Sequence, residues 1–381
     1  MRIALVTSSF LPTIGGAEFG VHHLAQQWRK QGHDVCVINA TADRATHPEA
    51  LYSVRKLGLL RGTTRFGAHR WPFLQHATRG LQRCLREYRP DFISGHFGYP
   101  TGIWLSRLKP LPHYLITCRG PALNETPQGP RQRFGIDNLV AEALNRSAGA
   151  VAMSSDARRI MERIGVAPAN ILDIPNGVEL TRFQTKVVGF DLRRMLGIPG
   201  DALVILSVGR SIWAKAYDTG IKTVAKVLAR QPGIYYVLLG KGTGEWLPLA
   251  RELGVAENIA FCEGLYGDEL IGAYQQADIF FLPSVKELCP MVLPESMGAG
   301  LPAVVTNISG SQDMVQTGEN GFVLEPGDAE GMAEALLQLV QDEPLRERMR
   351  QTALEKSKLY SWDRISRLYL EHAHPERTLG G

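Results

Sequence analysis

The sequence predicts an α/β protein made of two doubly wound domains that face each other across a cleft. Three observations carry this. The chain has 381 residues, too many for one ordinary core and enough for two. Short apolar, strand-like runs alternate with helical stretches almost throughout, the pattern of parallel sheets covered by helices. Between two such series, residues 176–200 are polar and turn-rich, with Asn176-Gly177 and Pro199-Gly200, and read as a linker.

The first series opens with a strand at 2–7, a helix at 17–31 and a strand at 34–39. Strands follow at 92–94 and 113–117 with a helix at 102–108 between them, then strands at 149–152 and 171–174 around a helix near 156–164. The second series starts with a strand at 203–209 and a helix at 218–230. Strands at 235–239, 259–261, 279–282 and 303–306 continue it. The tail reads as helices at 329–339, 344–356 and 362–372, with Ser361 able to cap the last. The expected division is a first domain over 1–185 and a second over 186–360, with the helix from about 361 to 381 packing back on the first.

Apolar residues make up 44% and charged residues 21%, the balance of a water-soluble globular chain. No apolar run approaches the roughly 20 residues needed to span a bilayer. The opening Met1-Arg2-Ile3-Ala4-Leu5-Val6-Thr7 suits a strand better than a secretory signal. Five scattered cysteines without a C-x-x-C pair argue against a disulfide framework or a zinc site, and for a cytoplasmic location. Cys289 has no His or Asn near it in sequence to make it a nucleophile.

The net charge of +4 hides an asymmetry: residues 1–185 carry +10 and residues 186–381 carry −6. Much of the excess lies in 55–89, where nine basic residues, Arg61 and Arg65 among them, face one acid, Glu87. There Phe73, Ala77, Leu81, Cys84 and Tyr88 recur at helical spacing, with Arg79, Arg83 and Arg86 on another face. Two readings stay open: a packed helix with a solvated arginine face, or a helix that meets an anionic membrane surface. Nucleic acid is not expected, because the other half of the chain is acidic.

The chemistry concentrates at the predicted strand ends. Glu287 and Glu295 lie eight positions apart, after the strand at 279–282 and around the start of a short helix. Open α/β sheets bind ligands at the carboxyl ends of their strands. Taken alone, Glu295 beside Pro294 would only offset a helix dipole, and Glu287 would be a solvated loop acid. Gly15-Gly16-Ala17-Glu18 follows the first strand and opens a helix, a place where backbone can approach a phosphate. It is not G-x-G-x-x-G, and neither is Gly240-Lys241-Gly242-Thr243-Gly244, so nicotinamide and flavin cofactors are not expected. Arg210 and Lys215 follow the first strand of the second series, a planar fork and a point charge suited to a diphosphate. His96 ends a strand of the first domain and is expected to point into the cleft.

Together these pieces resemble glycosyltransferase family 4, the retaining, nucleotide-sugar-dependent enzymes of the GT-B fold with two Rossmann-like domains. The matching residues are Gly15 to Glu18, Gly95-His96, Asn176-Gly177-Val178, Val208-Gly209-Arg210 with Lys215, Gly240 to Gly242, the two glutamates, Gly298 to Pro302, and Asn320-Gly321. The resemblance spans essentially the whole chain. It implies that Glu295 binds the donor ribose and that Glu287 contacts the donor sugar at the reacting centre. Arg210 and Lys215 would neutralise the leaving diphosphate, helped by backbone near Pro290, Met291 and Val292 and by Gly15 and Gly16. His96 would touch the donor sugar or the reacting face, and Arg119 the sugar or acceptor. It is compatible with a UDP- or GDP-sugar donor and a saccharide or lipid-linked acceptor. The basic stretch 55–89 adds the expectation of a membrane-associated acceptor, as in cell-surface polysaccharide or glycolipid assembly, and of a cytoplasmic enzyme that is peripheral at the inner membrane face.

No D-x-D metal signature is evident, and two cations with helix amides can replace a divalent ion, so no metal and no cofactor are expected. A sugar-nucleotide 2-epimerase or glycogen-synthase-like enzyme of the same fold, and a non-catalytic sugar-nucleotide-binding protein, remain as alternatives. The chain departs from the family where Lys215-Ala216 replaces the usual Lys-Gly, where Leu288-Cys289 lies between the glutamates, and where Arg119-Gly120 replaces the commoner His-Gly.

Overall fold

The structure, a computed structural model, describes residues 1–11, 15–40, 50–57, 67–120, 123 and 129–373. Arg61, Arg65 and the end of the expected C-terminal helix lie outside them. The chain divides into two compact units, Met1–Asn176 with Trp362–Gly381, and Gly177–Ser361. Each is a parallel sheet flanked by helices.

The first unit has seven strands: β1 (Arg2–Thr7), β2 (Asp34–Asn39), β3 (Ser53–Lys56), β4 (Phe92–His96), β5 (Tyr114–Thr117), β6 (Gly149–Ala152) and β7 (Ile171–Asp173). Their order is β3-β2-β1-β4-β5-β6-β7, every pair parallel. The order reverses direction between β1 and β4. β1 and β2 bury every residue after the first, which is why they read as continuous apolar runs. β3, Ser-Val-Arg-Lys, lies at the sheet edge with no fully buried position and escaped the sequence pattern for that reason.

Trp28 on the helix Gly16–Lys30 stacks edge-on against Phe92 and Tyr369, and its indole donates to the Ser366 carbonyl at 3.1 Å. This contact packs the last helix, Trp362–Glu371, onto the first unit. The basic helix spans Phe73–Tyr88 and buries Ala77, Leu81, Cys84 and Tyr88, as their spacing predicts. Phe73 departs from that pattern: it is exposed, as is Trp71, at 78% of its surface. His76, Arg79, Arg83 and Arg86 form an exposed stripe along the same helix.

The second unit has six strands: β8 (Leu203–Val208), β9 (Ile234–Leu239), β10 (Ile259–Cys262), β11 (Ile279–Leu282), β12 (Ala303–Thr306) and β13 (Gly321–Leu324). Their order is β10-β9-β8-β11-β12-β13, again all parallel, reversing between β8 and β11. Residues 177–185 belong to this unit. Phe183 packs on Tyr274 at 5.6 Å between ring centres, and the Gln275 amide donates to the carbonyls of Phe183 and Thr185. The turn-rich stretch read as a linker is therefore strapped onto the second unit.

Candidate active site

In an open α/β sheet the crevice where strand order reverses is the place a ligand enters. In the second unit that crevice lies between β8 and β11, and the predicted charged residues gather there. Arg210 follows β8 and is exposed. The next residue, Ser211, is tied down by the Lys241 carbonyl, which its amide reaches at 2.8 Å, by Trp246 Nε1 at 2.8 Å, and by the Glu245 carboxylate. A single 3-10 turn, Trp213–Lys215, then brings Lys215 back over the strand end. There Lys215 Nζ donates to Glu287 Oε1 at 2.6 Å, an ion pair whose side chains are only 12% and 16% exposed.

Both sides of this pair are braced. Gly209 has a φ of +156°, and a Cβ there would stand 2.7 Å from Lys215 Cε, so glycine lets the lysine fold back. Ser284, wholly buried after β11, donates its hydroxyl to Glu287 Oε1 at 3.1 Å. The Val285 amide reaches the Ala214 carbonyl at 2.8 Å, which joins the two loops that carry the pair. Ser309 Oγ holds the Leu288 carbonyl at 3.0 Å, and Gly310, at φ +78°, packs against Pro290.

Pro290, Met291 and Val292 lead into the helix Val292–Gly298. That helix begins before Pro294, which therefore lies within its first turn and not at its first position. Glu295, also in the first turn, is half-buried, and its Oε2 accepts from the Tyr274 hydroxyl at 2.9 Å. Desolvation pushes the Glu295 carboxyl up to about 7, although the Tyr274 hydrogen bond and the Lys215 charge pull it down. The buried Tyr274 phenol is held well above its ordinary range by burial and by Glu295.

In the first unit the order reverses between β1 and β4, and the arrangement there differs. His96 is wholly buried, not open as its place at a strand end suggested. Arg119 Nε donates to its Nδ1 at 3.4 Å, which puts the ring proton on Nε2, 3.2 Å from Ser94 Oγ. Burial and the Arg119 charge hold His96 well below its usual value, so the ring is neutral at neutral pH. Arg119 is itself buried, donating to Asn176 Oδ1 at 2.6 Å. It lies against Gly20, where a Cβ would come within 2.8 Å of its guanidinium.

Gly15 precedes the helix Gly16–Lys30 in an extended conformation, and Glu18 folds over it. A Cβ at Gly15 would lie 2.6 Å from Glu18 Oε2, and Glu18 Oε1 accepts from Ser9 at 2.6 Å. This helix start therefore already holds a carboxylate, and a phosphate at Gly15 and Gly16 must approach beside it.

Sequence reasoning missed Tyr274, Ser284, Ser309 and Gly310. None carries a charge, and each acts through a neighbour's backbone or carboxylate. Among the described residues no group of three His, Cys, Asp or Glu is placed to hold a metal ion, and no helix is long and apolar enough to cross a membrane.

Comparison with known proteins gives a consistent result. Residues 190–356 match the family described as glycosyl transferases group 1, and residues 14–182 the one described as glycosyltransferase family 4. The D-inositol 3-phosphate glycosyltransferase of Corynebacterium diphtheriae is 32% identical over 95% of this chain and 92% of its own. That of Actinosynnema mirum is 30% identical over 76% and 74%. HepE of Anabaena, solved with UDP, superposes with a TM-score of 0.79 at 17% identity, covering 97% of this chain and 99% of that one. The same protein solved with UDP-glucose gives 0.77. With two doubly wound sheets and the residues above in place, the chain belongs to the family 4 glycosyltransferases of the GT-B fold.

Proposed function

We propose that this glycosyltransferase moves a sugar from a UDP-sugar to a hydroxyl of a phosphate-bearing acceptor, with retention of anomeric configuration and without a metal. The observation that carries the reading is the Lys215–Glu287 pair at the β8/β11 crevice, where exposed Arg210 follows β8.

The glycosidic bond to a nucleoside diphosphate breaks through an oxocarbenium-like state while charge builds on the departing phosphate. A cation fixed before reaction stabilises that charge without reorganising. Lys215 is such a cation, held by Glu287 and by the loop braced on Ser211. Arg210 supplies a fork for the diphosphate. Glu287, paired with Lys215, would face the positive charge that develops on the sugar. Attack from the same face, with the leaving phosphate as base, needs no carboxylate nucleophile. Glu295 accepts the ribose hydroxyls from the first turn of its helix.

UDP is favoured as the nucleotide because HepE, which shares the fold, was solved with UDP and with UDP-glucose. The named relatives glycosylate D-inositol 3-phosphate, an anionic acceptor. A cluster with two arginines, built from the segments before β4, after β4 and after β5, suits that chemistry. Arg70 and Arg133 both lie over the Phe134 ring, at 5.5 and 5.4 Å, and His69 packs on the same ring while reaching Tyr99 OH at 3.1 Å.

A panel of nucleotide sugars ranked by thermal stabilisation, followed by transfer assays in EDTA, tests the reading. UDP-sugars should stabilise most and transfer should survive chelation. Preference for a GDP-sugar, or loss of activity in EDTA that a divalent ion restores, sinks those parts. NMR of the product anomer decides retention, and a glycosyl-enzyme trapped on Glu287 would overturn same-face attack. Arg133→Ala should raise KM for a phosphorylated acceptor about tenfold and leave a neutral one unchanged.

A second reading concerns location. The exposed stripe His76, Arg79, Arg83 and Arg86, with exposed Trp71 and Phe73 at the helix start, suits an anionic lipid surface. Co-sedimentation with vesicles of phosphatidylglycerol and phosphatidylcholine should weaken with salt and vanish in Arg79→Glu/Arg83→Glu. Equal binding to neutral vesicles removes the idea.

A further inference from the structure

We propose that Tyr274 is a positioning residue for donor binding: its hydroxyl holds Oε2 of Glu295 and so leaves Oε1 to meet the donor ribose. This rests on the reading of Glu295 as a ribose ligand and assigns the group that aims it.

The hydroxyl is more than part of an apolar filler. Tyr274 is fully buried, with Phe183 and Phe280 packed on its ring at 5.6 and 6.0 Å. Phenylalanine would fill that space equally well, and a buried hydroxyl is costly without a partner. Its partner is Glu295 Oε2 at 2.9 Å. Glu295 Oε1 has no hydrogen-bond partner among the described residues. One oxygen is fixed to the core and the other is left for a ligand, so the carboxylate enters binding with its rotamer already chosen.

The tyrosine is held rigidly in turn. It lies near the end of the helix Gly267–Gln275, and the two residues after it pin the strap that crosses it. Gln275 Oε1 accepts from the Val187 amide and Gln276 Oε1 from the Leu192 amide, both at 2.9 Å.

The charges around Glu295 are few. Lys215 is the cation acting on it, and Lys215 is shared with Glu287. Arg182 and Arg350, on helices packed against Val292–Gly298, are paired with Glu179 and Asp268 and with Glu347. Asp313 lies on the short Ser311–Met314 helix beside it. Desolvation by burial raises the titration of Glu295, and Tyr274 and Lys215 are the groups that pull it back down.

The test compares wild type, Tyr274→Phe, Glu295→Gln and the double variant. UDP-glucose affinity and kcat/KM for it are followed from about pH 6 to about pH 8. Tyr274→Phe should weaken binding about tenfold at neutral pH, because a hydrogen bond to a charged group is lost. It should leave kcat within roughly twofold and move the acid limb of kcat/KM upward by about one unit. A tyrosine that acts through Glu295 leaves the double variant within about twofold of Glu295→Gln. An unmoved acid limb, or effects that multiply, overturns the proposal while leaving Glu295 as a ligand. If Glu295→Gln itself binds UDP-glucose as wild type does, the ribose reading fails instead. Should Tyr274→Phe not fold, calorimetry of the wild type in buffers of different ionisation enthalpy serves. UDP-glucose binding near neutrality should release protons, and no release overturns the proposal.

Discussion

The two sheets reverse strand order at equivalent places and use them differently. Between β8 and β11, Lys215 and Glu287 meet on short loops, and Arg210, which follows β8, is exposed. Between β1 and β4, His96 is sealed beneath Arg119, Ser94 and Asn176. The same topology thus builds one crevice that presents charge and one that buries it. A ligand's charge can be met directly in the second unit. In the first unit the buried network can only shape what stands above it.

The sharpest test of this contrast is in the second unit. Glu287→Gln keeps size and one hydrogen-bond acceptor but removes the charge that holds Lys215. Turnover should fall by about two to three orders of magnitude while UDP binding changes little, the pattern of an interaction made mainly in the transition state. Lys215→Ala should cut turnover similarly and weaken UDP binding as well. If either variant keeps wild-type turnover, the crevice between β8 and β11 is not where the bond breaks.

In the first unit the effect should appear in stability. Arg119→Met retains most of the volume but removes the guanidinium that donates to Asn176 Oδ1 and His96 Nδ1. The cost should be about 2 kcal/mol, read by denaturant unfolding of the whole chain. His96, relieved of the neighbouring charge, should titrate at higher pH, which NMR of the imidazole can follow. A variant that folds as stably as wild type but binds acceptor poorly would make Arg119 a ligand, and would erase the distinction between the two crevices.

The sequence was more informative about the second unit, for a physical reason. Glu287, Glu295, Arg210 and Lys215 are charges near strand ends, and a charge interrupting an apolar pattern is visible in one dimension. Nearly all the strands were visible too, because parallel strands buried on both faces are continuous apolar runs; β3 and β13, at the edges, were not. Hidden as well were the residues that act on other residues. Tyr274 reads as one more aromatic of a core, and Ser284 as a turn residue. The burial of His96 could not be read either, since it depends on Arg119 and Asn176, which lie 23 and 80 positions further along the chain.

Glu295 offers a smaller effect with a definite sign. Its folded-state value of about 7 lies above the ordinary 4.5, so the folded protein holds the proton more tightly than the unfolded chain. That contribution is fully present below about pH 4.5 and is lost as pH rises through about 7. Glu295→Gln cannot ionise and escapes the loss. The variant should match wild type at acid pH and exceed it by on the order of 2 kcal/mol above neutrality, while binding donor worse. A stability difference that does not change with pH would mean the carboxylate is solvated as an ordinary surface acid is.

The smallest effect concerns how the Lys215 loop ends. Ala216 has φ 47° and ψ 47°, a left-handed conformation that costs a residue with a Cβ about 1 kcal/mol. Glycine, the usual family residue there, would remove that strain, although it adds freedom to the unfolded chain and loses a buried methyl. Ala216→Gly should therefore stabilise by about 0.5 kcal/mol or less, seen as a small rise in Tm. Gly209, at the other end of the loop, predicts the reverse. An alanine there would drive a methyl into Lys215 Cε and displace the ammonium from Glu287. If Ala216→Gly also lowers turnover, the alanine is stiffening the loop and helping to aim Lys215, and the strain at 216 belongs to the site.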